Sequence, residues 1–324
     1  MTIVDFSKAL DVHVAHERYD QVSANVRELI ELAEDRGGSI IPFLGPTRCG
    51  KSELLKDMQE QLQTVAAPSG HLFPSSDFGL STIPPKPNDR ELYRSMLTAI
   101  GLSFHGKETT ALVRDRLLKA VRDQGIKFIA LDECSHCAER GANLSARGAT
   151  DHFKTFVDET GVTLILAGLP KFQHLIDGNE QFRDRAFRTV QFLPYNWGSE
   201  KDHPGFVGAV LACLQILQAE GVSIDFDDLD MSRRLYGISG GRVGRVLDVL
   251  RAAAKRVQDG TLTFDTVARA ARLTIQDSGH TDIYFQDAAP TDESLVRSYA
   301  RVMHDAELAV DPTNLVEFAA MKAS

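Results

Sequence analysis

The sequence predicts an α/β fold: a parallel sheet sandwiched by helices, followed by a small helical lid domain and a C-terminal tail. Three observations carry this. Short apolar runs at Ile40–Leu44, Lys127–Leu131 and Val162–Ala167 alternate with amphipathic segments. That is the pattern of strands covered by helices on both faces. After Trp197 the apolar spacing becomes helical throughout. The 324-residue length holds one large domain or two smaller ones. Hydrophobic residues make up 43% and charged residues 25%, which excludes a mostly disordered chain, a collagen-like chain and a disulfide scaffold.

The elements follow in order. Residues 16–36 predict an amphipathic helix with Val22, Val26, Leu29, Ile30 and Ala33 on one face, ended by Gly37-Gly38. Ile40–Leu44 is a buried strand, residues 45–52 a loop, and residues 53–63 a helix. His71–Pro74 is a possible second strand, and residues 80–87, with three prolines, a loop. Residues 89–101, 108–124 and 150–160 predict helices around the strands 127–131 and 162–167. Two short helices, 171–177 and 180–187, precede a last strand at 190–193. Beyond the boundary near 197 the expected helices are 203–219, 226–236, 241–258 and 263–274. Residues 276–324 form the tail, with a helical stretch at 292–309. The expected domains are therefore 1–197, 198–275 and 276–324.

Gly45-Pro46-Thr47-Arg48-Cys49-Gly50-Lys51-Ser52 fits the spacing G-x-x-x-x-G-K-[ST] between a strand and a helix. Glycines let the backbone wrap phosphates, and the helix N-terminus directs its free N–H groups at them. Lys51 would reach the outer phosphates of a nucleotide, and Ser52 would offer a hydroxyl to Mg²⁺. The strand at 127–131 ends in Asp132-Glu133. Asp132 would hold Mg²⁺ through water, and Glu133 would polarise an attacking water. Successive acids, with no Asp-x-x-Gly switch following this strand and no Asn-Lys-x-Asp motif in the chain, favour ATP over GTP.

Further segments point to a family. They are Ile83-Pro84-Pro85-Lys86-Pro87-Asn88-Asp89-Arg90-Glu91-Leu92-Tyr93-Arg94, Leu166-Ala167-Gly168-Leu169-Pro170, Asn179 to Phe187, and Ser239-Gly240-Gly241-Arg242-Val243-Gly244. With the two motifs above, they resemble the AAA+ ATPases of transposons, the TniB and TnsC type, over residues 16–275. The resemblance implies a P-loop AAA+ core and an ATP-dependent regulator of transposition. Such a protein binds double-stranded DNA without sequence specificity and self-associates into a ring or helical filament. It links a target-selector protein to the transposase.

Residue by residue, Arg185 best matches the family's arginine finger, with Arg183 and Arg188 as neighbours. Arg242 and Arg245 both match the sensor-2 region, and the choice between them stays open. Arg94, Lys107 and Arg114 are the expected DNA-phosphate contacts. Two positions depart from the family pattern. Leu169 stands where a threonine is common after the sensor-1 strand, which implies slow hydrolysis or a substitute group. Ser135 stands where relatives often carry histidine, with His136 beside it. A helicase-loader or initiator-type protein remodelling a protein partner is an alternative reading. A P-loop small-molecule kinase is a weaker one, opposed by the helical region and the Arg185 segment.

The formal charge is −9. Taken alone this opposes nucleic acid as a partner. The tail, however, carries nine acidic residues against three basic ones, so most of the excess lies there. Cys134-Ser135-His136-Cys137 lacks a second ligand pair for zinc, and four cysteines are too few for a secreted disulfide framework. No apolar run approaches a membrane span, and the N-terminus does not read as a signal peptide. A reducing cytoplasm is the expected location.

Overall fold

The computed structural model describes residues 3–63, 77–104, 106–139, 143–276 and 278–310. The possible strand at His71–Pro74 and the end of the tail lie outside these residues. The chain divides into two units, one of residues 22–192 and one of residues 1–21 with 193–324.

The elements of the first unit run in order. Before them come β1 (Ile3–Val4) and the start of α1 (Glu17–Arg36); then β2 (Ile40–Leu44), α2 (Lys51–Gln63), β3 (Phe78–Thr82), α3 (Asp89–Ala99) and α4 (Thr110–Gln124). Next are β4 (Phe128–Asp132), α5 (Ala146–Thr160), β5 (Thr163–Gly168), α6 (Gln173–Asp177), α7 (Glu180–Arg183) and β6 (Val190–Gln191). The five strands are parallel in the order β3-β4-β5-β2-β6. Strands β2, β4 and β5 are buried along their whole length, which is why they read as unbroken apolar runs.

Local chemistry sets the helix ends. Asn88 and Glu91 form a reciprocal capping box at α3. Thr109 and Ser145 cap α4 and α5, which stop at Gly125 and Gly161 in the left-handed conformation. Val22, Val26, Ile30 and Ala33 on α1 are buried as their spacing predicts, with Leu29 half-buried.

Strand β3 corrects the expected loop from residue 80. Prolines 84, 85 and 87 dominate the sequence signal there, whereas pairing with β4 decides the structure. Gly79 permits it: a Cβ would stand 2.8 Å from the Ala99 carbonyl oxygen of the covering helix.

The second unit contains α8 (Asp202–Ala219), β7 (Ser223–Asp225), α9 (Asp228–Ser239), α10 (Val243–Ala254), β8 (Val257–Gln258), β9 (Thr261–Thr263), α11 (Phe264–Thr274), α12 (Ser278–Tyr284) and α13 (Asp292–Asp305). Helices alone do not account for it. A small sheet in the order β1-β8-β9-β7 includes the N-terminal strand. Two- and three-residue strands are too short to show alternation. Asp259-Gly260, both at positive φ, makes the tight turn between β8 and β9. The region beyond 276 is not merely a tail: Tyr284, Phe285, Leu295, Val296, Tyr299 and Met303 enter the same core as Phe206, Tyr236 and Leu250.

Candidate functional site

Residues 45–52 join β2 to α2. The Gly45 N–H donates to the Gly168 carbonyl at 3.1 Å, and Phe192 N–H donates to Leu44 at 2.8 Å. A Cβ on Gly45 would lie 2.3 Å from the Phe192 oxygen, so only glycine fits. Arg48 and Gly50 have φ of 65° and 109°, which turns successive N–H groups into one concavity. Helix α2 starts at Lys51, so its first N–H groups face the same place. Pro46 and Cys49 are buried, while Thr47 and Arg48 are exposed.

Lys51 Nζ donates to the carbonyls of Gly45 and Pro46 at 2.7 and 2.8 Å. Burial pushes its pKa down, against the opposing pull of Cys49, Asp132 and Glu133. Ser52 Oγ donates to Asp132 Oδ2 at 2.5 Å, and Asp132 Oδ1 accepts from Glu133 N–H at 2.8 Å. Asp132 is buried at the end of β4; Glu133 is exposed and has φ 59°. A non-glycine residue in that region stores strain of about 1–3 kcal/mol.

This donor set fits Mg²⁺ with a nucleotide. A hydroxyl and a carboxylate suit a hard cation that keeps water and phosphate oxygens as its remaining ligands. The glycine-shaped concavity beside them suits phosphates. Among the described residues no group of three or more His, Cys, Asp and Glu forms a metal site of its own.

The turn after β5 brings a residue that sequence reading flagged only as a departure. Leu169 N–H donates to Ser135 Oγ in a short hydrogen bond. The two are 34 positions apart, so no local signal joins them. His136 Nδ1 faces the Ile83 carbonyl at 2.9 Å. None of the four cysteines forms a disulfide, and all four are buried. Cys134 Sγ donates to the Leu131 carbonyl at 3.1 Å, and burial pushes the Cys137 thiol up to about 12.

The arginines fall elsewhere. The Arg185 carbonyl accepts from Ile40 N–H at 2.9 Å, which places it at the start of β2, the opposite end of that strand from the phosphate loop. Its guanidinium binds Asp158 through Nε at 2.5 Å and Nη2 at 2.9 Å, and donates to the Gln181 carbonyl at 2.7 Å. Arg183 and Arg188 are exposed along a neighbouring cleft that also includes Glu28 and Asp177. Arg242 and Arg245 belong to the second unit. Arg242 Nε donates to Ser239 at 2.7 Å, and Arg245 lies 3.8 Å from Asp248. Arg94 lies 4.7 Å from the centre of the Phe104 ring, Lys107 is exposed, and Arg114 is paired with Glu159.

The strand order and the loop between β2 and α2 define a P-loop fold of the AAA+ class, and solved structures of that class match the chain. The Cdc6p structure from Pyrobaculum aerophilum has a TM-score of 0.59 at 12% identity, covering 99% of this chain and 90% of that one. The Aeropyrum pernix ORC2 protein in its ADPNP–ADP complexes scores 0.55 at 14% identity, covering 94% and 90%. Drosophila ORC bound to DNA scores 0.50 at 12% identity, covering 98% and 82%. The family model for bacterial TniB protein matches residues 8–196, and the chain belongs to that family. No curated protein matches its sequence. Among the described residues no helix is long and apolar enough to cross a membrane.

Proposed function

We propose that this protein is an ATP-hydrolysing, DNA-binding regulator of transposition that assembles on target DNA and links a target selector to the transposase. The observation that carries the reading is the convergence of Lys51, Ser52, Asp132 and Glu133 at the C-terminal ends of β2 and β4, on either side of β5, in a TniB-family chain. Lys51 and the N–H groups of residues 45–52 bind and orient the phosphates. Ser52 and Asp132 hold Mg²⁺, which neutralises charge building on the phosphates. Glu133, exposed and adjacent to Asp132, accepts the proton of the attacking water.

Arg185 supports self-association. Strand β2 has five residues. At roughly 3.3 Å per residue, its two ends lie about 13 Å apart. That is too far for Arg185 to serve its own phosphates; the role the family resemblance implies for it is to leave Asp158 and serve the site of a neighbouring copy. Arg242 and Arg245 are the candidates for the family's sensor-2 arginine. Arg94 and Lys107 are the better DNA-phosphate contacts, because Glu159 already balances Arg114.

The test is imaging of the protein with duplex DNA, with and without a slowly hydrolysed ATP analogue. Rings or filaments on DNA that require the analogue are expected. Failure to assemble, with a stable one-to-one complex with a helicase instead, would replace this reading with the loader-type one.

A further inference from the structure

We infer that Ser135 is a positioning residue of the phosphate site, tying the turn that carries Glu133 to the phosphate loop through the peptide bond between Gly168 and Leu169. The inference rests on the ATP-hydrolysis reading above. A single amide makes the link. Its carbonyl, from Gly168, accepts from Gly45 N–H at 3.1 Å. Its N–H, from Leu169, donates to Ser135 Oγ. The peptide unit is planar and stiff, so a shift on one side is felt on the other.

The surroundings are shaped for this contact. Ser135 is 1% exposed, and a buried hydroxyl is tolerated when it is hydrogen-bonded. A Cβ on Gly168 would come within 2.6 Å of Ser135 Oγ and 3.0 Å of its backbone nitrogen, so the close approach requires glycine there. Two residues before Ser135, Glu133 sits at φ 59°, and the His136 N–H to Glu133 carbonyl bond at 3.0 Å closes the turn. A strained, exposed carboxylate needs an anchor to keep one position. Leu169 has no polar side-chain atom with which to provide it. Its backbone N–H and the hydroxyl of Ser135 do so instead.

The experiment uses the full chain and measures steady-state ATP hydrolysis, affinity for a fluorescent ATP analogue, and thermal unfolding. Ser135→Ala should lower kcat about tenfold, the size of one lost hydrogen bond, and change the analogue's affinity less than about twofold. Gly168→Ala, which displaces Ser135 Oγ, should show the same split and serves if Ser135→Ala does not fold. In the Glu133→Gln background, Ser135→Ala should leave the residual single-turnover rate unchanged, an outcome that a merely structural role does not produce. An unchanged kcat in either folded variant overturns the inference, as does a loss that persists in the Glu133→Gln background. A wild-type chain without ATP hydrolysis overturns the hydrolysis reading and this inference with it. Wild-type hydrolysis with an indifferent Ser135 overturns this inference alone.

Discussion

At the strand ends of the first unit, Glu133 stands exposed in a left-handed conformation, and Lys51 bends back onto two loop carbonyls. The second unit has a polar network built around a buried hydroxyl. Tyr236 is fully buried; its hydroxyl donates to the Tyr195 carbonyl and accepts from Trp197 N–H, both at 2.8 Å. Trp197 Nε1 donates to Asp292 at 3.0 Å, and Asp292 pairs with Arg233 at 2.7 Å. Tyr195 packs so tightly on Gly241 that a Cβ there would lie 2.0 Å from its carbonyl oxygen. Both networks depend on glycine and on buried polar atoms. One holds charge ready for a ligand, while the other uses its hydrogen bonds to hold chain segments together. Damage to the first should therefore cost activity, and damage to the second should cost stability.

The largest expected effect is from Lys51→Ala. Removing the lysine charge beside the proposed phosphate site should lower kcat/KM for ATP by roughly 10³ and abolish ATP-dependent assembly on DNA. Assembly of that variant at the wild-type level would show that the loop lysine is not needed for nucleotide-dependent assembly. Glu133→Gln comes next, with turnover reduced by roughly 10²-fold and the assembled state trapped. Its melting temperature should stay at or above the wild-type value, because the substitution removes charge from a strained, exposed position. Rapid turnover by this variant would take Glu133 out of its role.

The opposite pattern is expected for Tyr236→Phe. It leaves the Tyr195 carbonyl and Trp197 N–H without this partner, at a cost of about 1–3 kcal/mol in denaturant unfolding. ATP turnover at a temperature where the variant is folded should match wild type. Equal stability with impaired turnover would mean that the two networks are not separate in function.

A further effect, confined to acid conditions, is a pH dependence within the second network. His16 Nδ1 lies 2.9 Å from the Tyr195 hydroxyl and accepts from Tyr19 N–H at 3.3 Å. Burial, then the charges of His13 and Arg18, lower its pKa from 6.5 to about 4. The folded value lies below the unfolded one, so the unfolded chain takes the proton first. Stability from the neutral ring is complete above pH 6.5 and is lost as pH falls toward 4. Thermal unfolding across that range should show the decline, and His16→Gln should flatten it. An identical slope in the variant would remove His16 as its source.

Where residues adjacent in sequence make the structure, the sequence was readable. Gly45 to Ser52 is one loop between a strand and a helix, and Asp132-Glu133 ends one apolar strand, so spacing exposed both. Strand β3 and the β1-β8-β9-β7 sheet leave little trace in the sequence because their strands are short and gain stability from distant partners. The Asp259-Gly260 turn was the one local sign of that sheet. Residues 278–305 looked like a tail because their apolar positions are sparse, yet they complete a core whose other half lies far back in the chain.

Sequence by itself determined the fold class, the phosphate loop and the acidic pair, because hydrophobic periodicity and glycine placement act over a few residues. Tertiary structure decided what surrounds them. It set Ser135 under Leu169, across 34 positions, and Asp158 against Arg185, across 27. It also placed Arg185 at the far end of β2 from the loop of residues 45–52. Such contacts are made by strand order and helix packing, which bring remote residues within hydrogen-bond reach and leave no periodic trace in the chain.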